Sequence, residues 1–250
     1  MRPAPSLIVL AGAWDNAARD FAARHARRGV SLLVPRDLSR SGWHFRPGDP
    51  AAAVAVMGPQ RFRLGEAGGV LTRLPAVTEA DLPHIAAEDR AYIAAELTAF
   101  LLALLASTAI HIVNRPTPQC LCGPAWHDGR WRRAAGECGF KVRAVRGCAV
   151  PSAAPLEDEP CGAKVTVVGE VAVGAPNRAL RAAARAVAAA AGAELLTVEF
   201  DKPGPGAALL RARPSVDIGD PPVEKAVLRL FGLTGARRGR KTPDDRAVGG

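Results

Sequence analysis

Two arginines that flank a single alanine, Arg211 and Arg213, have the spacing in this sequence that points most directly to chemistry. The segment that leads into them, 207–212, is predicted to be a β-strand, and side chains two residues apart on a strand point to the same face. Two guanidinium groups on one face could bind a phosphate or a carboxylate through paired N–H donors. A solvated strand face is the alternative interpretation, and the sequence favours neither.

The five cysteines offer a second kind of chemistry. Cys120 and Cys122, with His127 five residues further on, could supply soft ligands to zinc, and another cysteine could complete the set of four. Because Cys-x-Cys is not the usual ligand spacing and no second paired motif follows, we predict unligated thiols and no metal. A catalytic pair of Cys120 or Cys148 with His111 is a further alternative, but nothing in the sequence orients such a pair.

Composition sets the class of protein. The 250 residues are 48% hydrophobic and 23% charged, with a formal net charge of +9, which excludes a wholly disordered chain. The segment 234–250 carries five arginines or lysines against two aspartates. Because no aromatic side chain interleaves with these cations for base stacking, we predict a solvated, disordered tail and no nucleic-acid partner.

Cysteine usage and hydropathy bear on the compartment. No secretory signal precedes the odd number of thiols, which predicts a cytoplasmic protein with free cysteines. The longest run without a charged side chain, 97–114, falls short of the ~20 apolar residues that span a membrane. This run therefore predicts a buried helix followed by a buried strand, and no membrane segment.

The elements that must position these side chains alternate between strands and helices. The strand at 6–12, the helix at 15–28 and the strand at 30–34 predict a parallel pair joined by a right-handed crossover. Segments 61–64 and 70–74, separated by a glycine-rich loop, predict a hairpin. The other predicted helices are at 87–107, 126–138, 177–191 and 222–230, and the other predicted strands are at 52–57, 110–113, 141–145, 164–168, 171–173, 194–200 and 207–212. This mixture predicts an α/β protein in two lobes.

The order of these elements, together with several short motifs, is similar to that of a known superfamily. In the N-terminal part the motifs are Gly69-Val70-Leu71-Thr72-Arg73-Leu74, Tyr92 and Glu96 on a helix, the strand end Val113-Asn114-Arg115-Pro116, and the helix at 132–140. In the C-terminal part they are the hairpin at 165–172, the helix at 182–191 and the strands at 195–200 and 209–210. These features resemble the ATP-grasp superfamily, in particular the branch of ribosomal-protein glutamate ligase and its peptide-modifying relatives. The resemblance covers most of residues 5–231 and implies an α/β, two-lobed ATP-grasp-like architecture.

The middle of the chain departs from that family. There, a long central segment supplies a lysine-bearing strand, a glycine loop over the phosphates and an adenine-binding hinge, whereas only 141–162 lies between the two matched parts here. The resemblance therefore implies that the central nucleotide-binding subdomain is largely missing. It implies a pre-ATP-grasp-like α/β lobe at 1–120, a shortened ATP-grasp-like lobe at 121–232 and a basic, disordered tail at 233–250.

The magnesium-holding residues depart as well. The family places an acidic residue on the penultimate strand and Glu-x-Asn on the last strand, and Glu199 matches the first position while the second reads Arg211-Ala212-Arg213. Magnesium requires oxygen ligands, and guanidinium groups there would repel it by roughly several kcal/mol. In the cleft that the resemblance implies, Arg73 and Arg115 would lie near these residues and help them to bind an anionic ligand.

The resemblance and its departures together imply a function. We expect a degenerate ATP-grasp-like protein with no catalytic residues and no resident cofactor, a noncatalytic or accessory component of a biosynthetic or peptide-modifying pathway. Its expected partners are an anionic small molecule, a peptide or a partner enzyme, and it could form a homo-oligomer. One alternative is an active ATP-dependent carboxylate–amine ligase that uses ATP and magnesium, has a shortened lid and works as an oligomer. Another is a basic adaptor whose tail binds nucleic acid.

Overall fold

A computed structural model describes residues 3–142 and 161–234, which form ten strands and six α-helices. The strands are β1 (Leu7–Leu10), β2 (Val30–Leu33), β3 (Val54–Met57), β4 (Gln60–Arg63), β5 (Val70–Thr72), β6 (Ile112–Val113), β7 (Ala163–Val168), β8 (Val171–Gly174), β9 (Leu195–Phe200) and β10 (Leu209–Arg213). The helices are α1 (Asn16–Arg24), α2 (Pro35–Leu38), α3 (Arg90–Ser107), α4 (Asp128–Glu137), α5 (Arg178–Ala190) and α6 (Pro221–Leu230). The predicted strand at 141–145, beyond Val142, and the predicted tail, beyond Thr234, lie outside the described residues.

A parallel sheet organises the N-terminal lobe, which we define as β1–β6 with α1–α3. Its strand order is β2-β1-β5-β6. The Asp15 side chain accepts a hydrogen bond from the Ala18 amide and so begins α1, while Gly29, at a φ of 81°, ends the helical segment before β2. The predicted parallel strand–helix–strand unit is confirmed.

The predicted hairpin between 61–64 and 70–74 is wrong. β4 instead pairs with β3 in an antiparallel ribbon, and β5 lies between β1 and β6 in the parallel sheet. The physical reason lies in the side chains, because all three residues of β5 are buried, as in a strand covered on both faces, whereas β4 alternates between buried Phe62 and solvent-facing arginines.

The long helix α3 packs on this parallel sheet along one stripe. Leu101, Leu104 and Leu105 are buried against the sheet, and Phe100 makes edge-to-face contacts with Trp43 and Phe45. The predicted buried helix is buried only along this stripe, because most of its other residues are exposed or half-buried, whereas the predicted strand that follows it, β6, is buried. By length and composition alone α3 could cross a membrane, and the absence of a membrane segment stays a prediction.

An antiparallel sheet organises the C-terminal lobe, which we define as β7–β10 with α4–α6. Its strand order is β10-β9-β7-β8, and the predicted hairpin β7–β8 is confirmed, with a two-residue turn at Gly169. Helices α4 and α5 cover one face of the sheet, where Trp131, Val198 and Phe200 are buried with them. The fold is thus mixed α/β with a sheet in each lobe, as predicted, while the exact domain boundaries stay predictions.

The two lobes share a third hydrophobic cluster. Leu7 and Phe21 from the N-terminal lobe pack there with Leu195, Val168 and Val227, the last of which belongs to α6. An ion pair also crosses the junction, from Arg24 and His25 on the α1 side to Glu224 on α6. Partial burial acts to raise the pKa of Glu224, but the hydrogen bonds from Arg24 and His25 outweigh it and hold the pKa below its usual value.

Candidate anion-binding site

One face of the antiparallel sheet is polar over β7, β9 and β10. Because side chains alternate along a strand, the residues between those packed under α4 and α5 point to the opposite side. We call this surface the polar face, and its members are Lys164, Thr166, Thr197, Glu199, Arg211 and Arg213. The strand register arranges them in two rows, and both rows run across all three strands.

The first row carries a carboxylate between cations. Glu199 is the register partner of Lys164 on β7 and of Arg211 on β10. The Glu199 Oε2 atom lies 2.5 Å from the Arg211 Nε atom, and both side chains are about one-fifth exposed. The only carboxylate of the polar face is therefore held in an ion pair, while Lys164 is exposed beside it.

The second row is neutral on two strands and cationic on the third. The Thr166 and Thr197 hydroxyls lie 3.2 Å apart and form a buried hydrogen bond. Arg213 is the register partner of Thr197 and is exposed. A small anion at the open end of this row would meet the Arg213 guanidinium, which suits a phosphate or carboxylate oxygen.

The sequence analysis missed three members of this surface. Lys164 and Thr166 stand two residues apart on a predicted strand, and this alternation was the available signal. Nothing local to Thr197 indicated that it would lie opposite Thr166, because the strand pairing joins residues that are 31 positions apart.

The other two predicted ligand residues are placed elsewhere. Arg73 has an 11% exposed side chain and pairs with Asp15, at 2.7 Å, while its Nη1 donates to the Val216 carbonyl at 2.6 Å. Arg115 is exposed, and its guanidinium donates to the carbonyls of Thr108 and Ile110 beyond the end of α3. The structure thus brings together Glu199, Arg211 and Arg213, and a ligand role for Arg73 and Arg115 stays a prediction.

Asn114 joins the lobes at the C-terminal end of β6. Its Oδ1 accepts from the Leu195 amide and its Nδ2 donates to the Leu195 carbonyl, both at 2.8 Å. The same Nδ2 lies 3.3 Å from the Cys122 carbonyl, and the Thr72 hydroxyl donates to the Asn114 carbonyl at 2.7 Å. Asn114 therefore fixes the start of β9, and with it the polar face, relative to the parallel sheet.

Cys120 and Cys122 lie next to this contact as free thiols. Both are buried, and their Sγ atoms are 3.4 Å apart. His127 is not with them, because it begins α4, where its Nδ1 accepts from the Arg130 amide. Over residues 3–142 and 161–234, no group of three or more histidine, cysteine or acidic side chains could hold a metal.

The two thiols differ in acidity. The hydrogen bond from the Cys122 thiol lowers the pKa of Cys120 to about 6, although burial opposes this. The same hydrogen bond, together with burial, raises the pKa of Cys122. Cys120 is therefore the more acidic of the two thiols, because its thiolate is stabilised by the neighbouring thiol.

Removing that donor should restore an ordinary thiol. In Cys122→Ala the Cys120 thiolate loses its hydrogen bond inside a buried site, so we expect the pKa of Cys120 to rise. Cys122→Ser keeps a donor and should keep the pKa low. Thiolate absorbance followed against pH measures both variants, and equal titration curves for alanine and serine would show that the hydrogen bond is not the cause.

A magnesium ion does not fit the polar face. Magnesium prefers several oxygen ligands in octahedral array. The charged groups there are one carboxylate, already paired with Arg211, and the cations Lys164 and Arg213. The threonine hydroxyls are engaged with each other. This donor set suits an anion, including a nucleotide phosphate, better than a divalent cation.

Comparisons with known proteins point to one architecture. No known family matches the sequence, and no curated protein is similar to it at a significant level. The macrocyclase MdnC from Microcystis aeruginosa, solved with its precursor peptide MdnA, has 11% identity and a TM-score of 0.61 over 90% of this chain and 98% of that chain. The ATP-grasp ligase PsnB, solved with a minimal precursor, Mg and ADP, has 11% identity and a TM-score of 0.58 over 91% and 97%. A RimK-domain ATP-grasp protein from Sphaerobacter thermophilus has 17% identity and a TM-score of 0.50 over 92% and 100%.

At such low identities the similarity establishes the fold and leaves activity open. It agrees with the resemblance found in the sequence, which was assigned from element order and short motifs. Whether the central subdomain is missing stays a prediction, because most of the connecting segment lies outside the described residues. The chain therefore has the fold of the ATP-grasp ligases.

Proposed function

We propose that this chain is a noncatalytic or accessory component of a peptide-modifying pathway that binds an anionic group on its polar face. The observation that carries the proposal is the Glu199–Arg211 ion pair. The acidic position that the resemblance assigns to magnesium is neutralised by a cation on the next strand. A carboxylate in that state supports anion binding nearby and does not support Lewis-acid chemistry.

The charge balance of the polar face supports an anionic ligand. Three cationic side chains, Lys164, Arg211 and Arg213, stand against the single carboxylate of Glu199. Guanidinium groups bind phosphate and carboxylate oxygens in a two-point geometry that lysine cannot reproduce. The ligand would thus be a phosphate-bearing small molecule or the carboxylate of a peptide or partner enzyme.

The structural neighbours support a peptide setting. MdnC and PsnB were both solved with peptide precursors. ATP and magnesium remain the alternative pair of cofactors, because PsnB was solved with Mg and ADP. If ATP binds here, its phosphates would contact the cations of the polar face, and phosphoryl chemistry would need ligands for magnesium that this face does not supply.

The decisive experiment compares ATP binding with and without magnesium. We expect calorimetry to show ATP or tripolyphosphate binding that is unchanged or weakened by magnesium, because cation repulsion opposes the metal. Arg213→Ala should weaken it by roughly tenfold, the equivalent of about 1.4 kcal/mol. The matched control is Arg185→Ala, which removes an exposed arginine from α5, away from the polar face.

An active ligase would behave differently. Its affinity for ATP would rise with magnesium, and it would form ADP in the presence of an acceptor peptide. Magnesium-dependent ADP formation that is lost in Glu199→Gln but kept in Arg185→Ala would overturn the noncatalytic proposal in favour of the ligase.

A cytoplasmic location and a tail that does not bind nucleic acid remain part of the proposal. Salt-dependent binding of duplex DNA or RNA by the full chain, lost when residues 234–250 are deleted, would instead support the basic adaptor.

A further inference from the structure

The thiols of Cys120 and Cys122 form a nucleophilic pair that lies apart from the polar face. Their Sγ atoms are 3.4 Å apart, and a single residue separates the two cysteines in the chain. Each cysteine is 8% exposed, so the pair is shielded from large molecules but is open to a reagent about the size of water. Over residues 3–142 and 161–234, no third histidine, cysteine or acidic side chain completes a metal site with them. The pair is therefore available for chemistry between the two sulfur atoms themselves.

The backbone around the pair holds the two sulfur atoms close together. Cys120 ends a tight turn in which its amide donates to the Thr117 carbonyl at 3.0 Å and its carbonyl accepts from the Thr117 amide at 2.9 Å. Between the two cysteines, Leu121 is fully buried, and its amide donates to the Pro75 carbonyl at 2.8 Å. Because the turn and the buried leucine are fixed, the two thiols can react with little further loss of conformational freedom.

The two sulfur atoms differ in the way that an attacking and a resolving thiol differ. The hydrogen bond between them lowers the pKa of Cys120 to about 6. The same bond, together with burial, raises the pKa of Cys122, while the positive charge of Arg73 acts on Cys122 in the opposite direction. Since thiolates react with peroxides much faster than thiols do, Cys120 is the sulfur that reacts first.

We propose that Cys120 and Cys122 are a redox site that closes to a reversible disulfide when the protein meets hydrogen peroxide. The Cys120 sulfur attacks the peroxide, the O–O bond breaks, and a sulfenic acid forms as hydroxide leaves and takes up the proton that Cys120 had released. The Cys122 sulfur then attacks the Cys120 sulfur, so that the S–S bond forms, the S–O bond breaks, and water leaves with the proton of Cys122. The two thiols together lose two electrons and two protons, and the peroxide is reduced to two molecules of water.

A disulfide between these positions should be easily reduced. Because only Leu121 separates the cysteines, the bond closes a small ring that cannot adopt the relaxed geometry of most disulfides. Disulfides of this kind are the labile and regulatory ones, which thiols such as glutathione reduce. The pair therefore suits a switch better than a permanent crosslink. This inference does not depend on the ligand proposed for the polar face.

Closing the disulfide should also disturb the contact between the lobes. The sulfur atoms must approach from 3.4 Å to about 2.05 Å, and the turn before the pair is fixed. Cys122 is freer to move, because Gly123 follows it at a φ of 105°. The Cys122 carbonyl also accepts the longest of the three hydrogen bonds of the Asn114 side chain, at 3.3 Å. We therefore expect oxidation to weaken this bond and, through Asn114, the hold on the Leu195 amide.

Limited oxidation of the full chain with hydrogen peroxide, followed by mass spectrometry, tests the redox site. Trypsin should release both thiols in one fragment, 91–130, because a proline follows Arg115 and blocks cleavage there, and this fragment contains no other cysteine. We expect the fragment to lose the mass of two hydrogen atoms before Cys161, which is exposed, is oxidised. Reduced glutathione at millimolar concentration should restore the original mass.

Two conservative variants assign the roles of the two thiols. In Cys122→Ser the resolving thiol is absent, so oxidation should stop at a sulfenic acid on Cys120, which dimedone captures. In Cys120→Ser the attacking thiol is absent, and Cys122 should be oxidised much more slowly than Cys120 is in wild type. Cys138→Ser, at a half-buried cysteine at the end of α4, is the matched control and should form the disulfide as wild type does.

Hydrogen exchange of the oxidised and reduced chains measures the effect on the junction between the lobes. The Leu195 amide should exchange severalfold faster after oxidation. The Leu64 amide, which donates to the Ala53 carbonyl at 2.9 Å in the N-terminal lobe, is the internal control and should keep its rate. In Cys120→Ser, the same peroxide treatment should leave both rates unchanged.

Three results would contradict these expectations. If fragment 91–130 stays reduced while Cys161 is oxidised, or if Cys120 passes to a sulfinic acid while Cys122 stays reduced, the pair is not a disulfide site. Equal exchange of the Leu195 amide in the oxidised and reduced forms would overturn the effect on the junction. Stoichiometric copper that the reduced wild type retains and Cys120→Ser loses would assign the pair to a soft metal ion instead.

Discussion

Asn114→Ala should lower the free energy of unfolding by roughly 3–5 kcal/mol, because it leaves three buried backbone groups without partners. The alanine removes the two hydrogen bonds to Leu195 and the longer one to the Cys122 carbonyl. None of these groups gains access to water, since Asn114 is only 2% exposed. Urea unfolding followed by tryptophan fluorescence measures the loss.

Two control variants distinguish the loss of these hydrogen bonds from the general effect of replacing an asparagine. Asn16→Ala removes an exposed side chain whose one hydrogen bond over the described residues is to Arg19, and it should lower the free energy of unfolding by less than about 0.5 kcal/mol. Asn114→Asp keeps an acceptor for the Leu195 amide but directs an anion at two carbonyl oxygens, so we expect a loss at least as large as for alanine. An Asn114→Ala protein as stable as wild type would show that the lobes are not joined through this side chain.

The parallel sheet shows what local sequence could and could not predict. The strand–helix–strand start was predictable because α1 is bounded by a capping aspartate and a glycine, and because both strands are short apolar runs. Pairing of β5 was predicted wrongly because the glycine-rich loop at 65–69 resembles a hairpin turn. The better signal was that Val70, Leu71 and Thr72 do not alternate in polarity, whereas Gln60–Arg63 does.

The candidate site was predictable only in part, for a related reason. Arg211 and Arg213 share a face by strand geometry alone, and Glu199 came from the resemblance. The pairing of Glu199 with Arg211 depends on the register of β9 and β10, which an irregularity between Leu209 and Arg211 shifts. The sequence placed Asn114 only at the end of a strand. Its contact with Leu195 could not be predicted, because the two residues are 81 positions apart.

These contacts explain why we propose a ligand on the polar face and not at the edge of the parallel sheet. In open α/β sheets, ligands bind beyond the C-terminal ends of the parallel strands. Here Arg73 follows β5 and Asn114 follows β6 at that edge, and both bind backbone groups of the second lobe. The edge is therefore occupied by the junction between lobes, whereas Lys164 and Arg213 of the antiparallel sheet are exposed.

Arg73→Met should be the second most destabilising change, at about 2–4 kcal/mol, because it leaves a partly buried carboxylate and a carbonyl without their partner. Arg73 joins Asp15 at the start of α1 to the Val216 carbonyl, which follows β10. Methionine fills a similar volume but offers no donor. The urea midpoint, compared with wild type, measures the effect.

A double-mutant cycle with Asp15→Asn isolates the ion pair. Asparagine keeps the cap of α1 but removes the charge, so Arg73→Met should cost less in an Asp15→Asn background by about 1–2 kcal/mol. Arg73→Lys keeps the charge but lacks the guanidinium group that donates to Asp15 and to the Val216 carbonyl at the same time. Its free energy of unfolding should therefore lie between those of wild type and Arg73→Met. If Arg73→Met left stability unchanged but abolished tripolyphosphate binding, then Arg73 would be a ligand residue, as the sequence suggested, and the junction between the lobes would be held by its other contacts, among them Asn114 and Glu224.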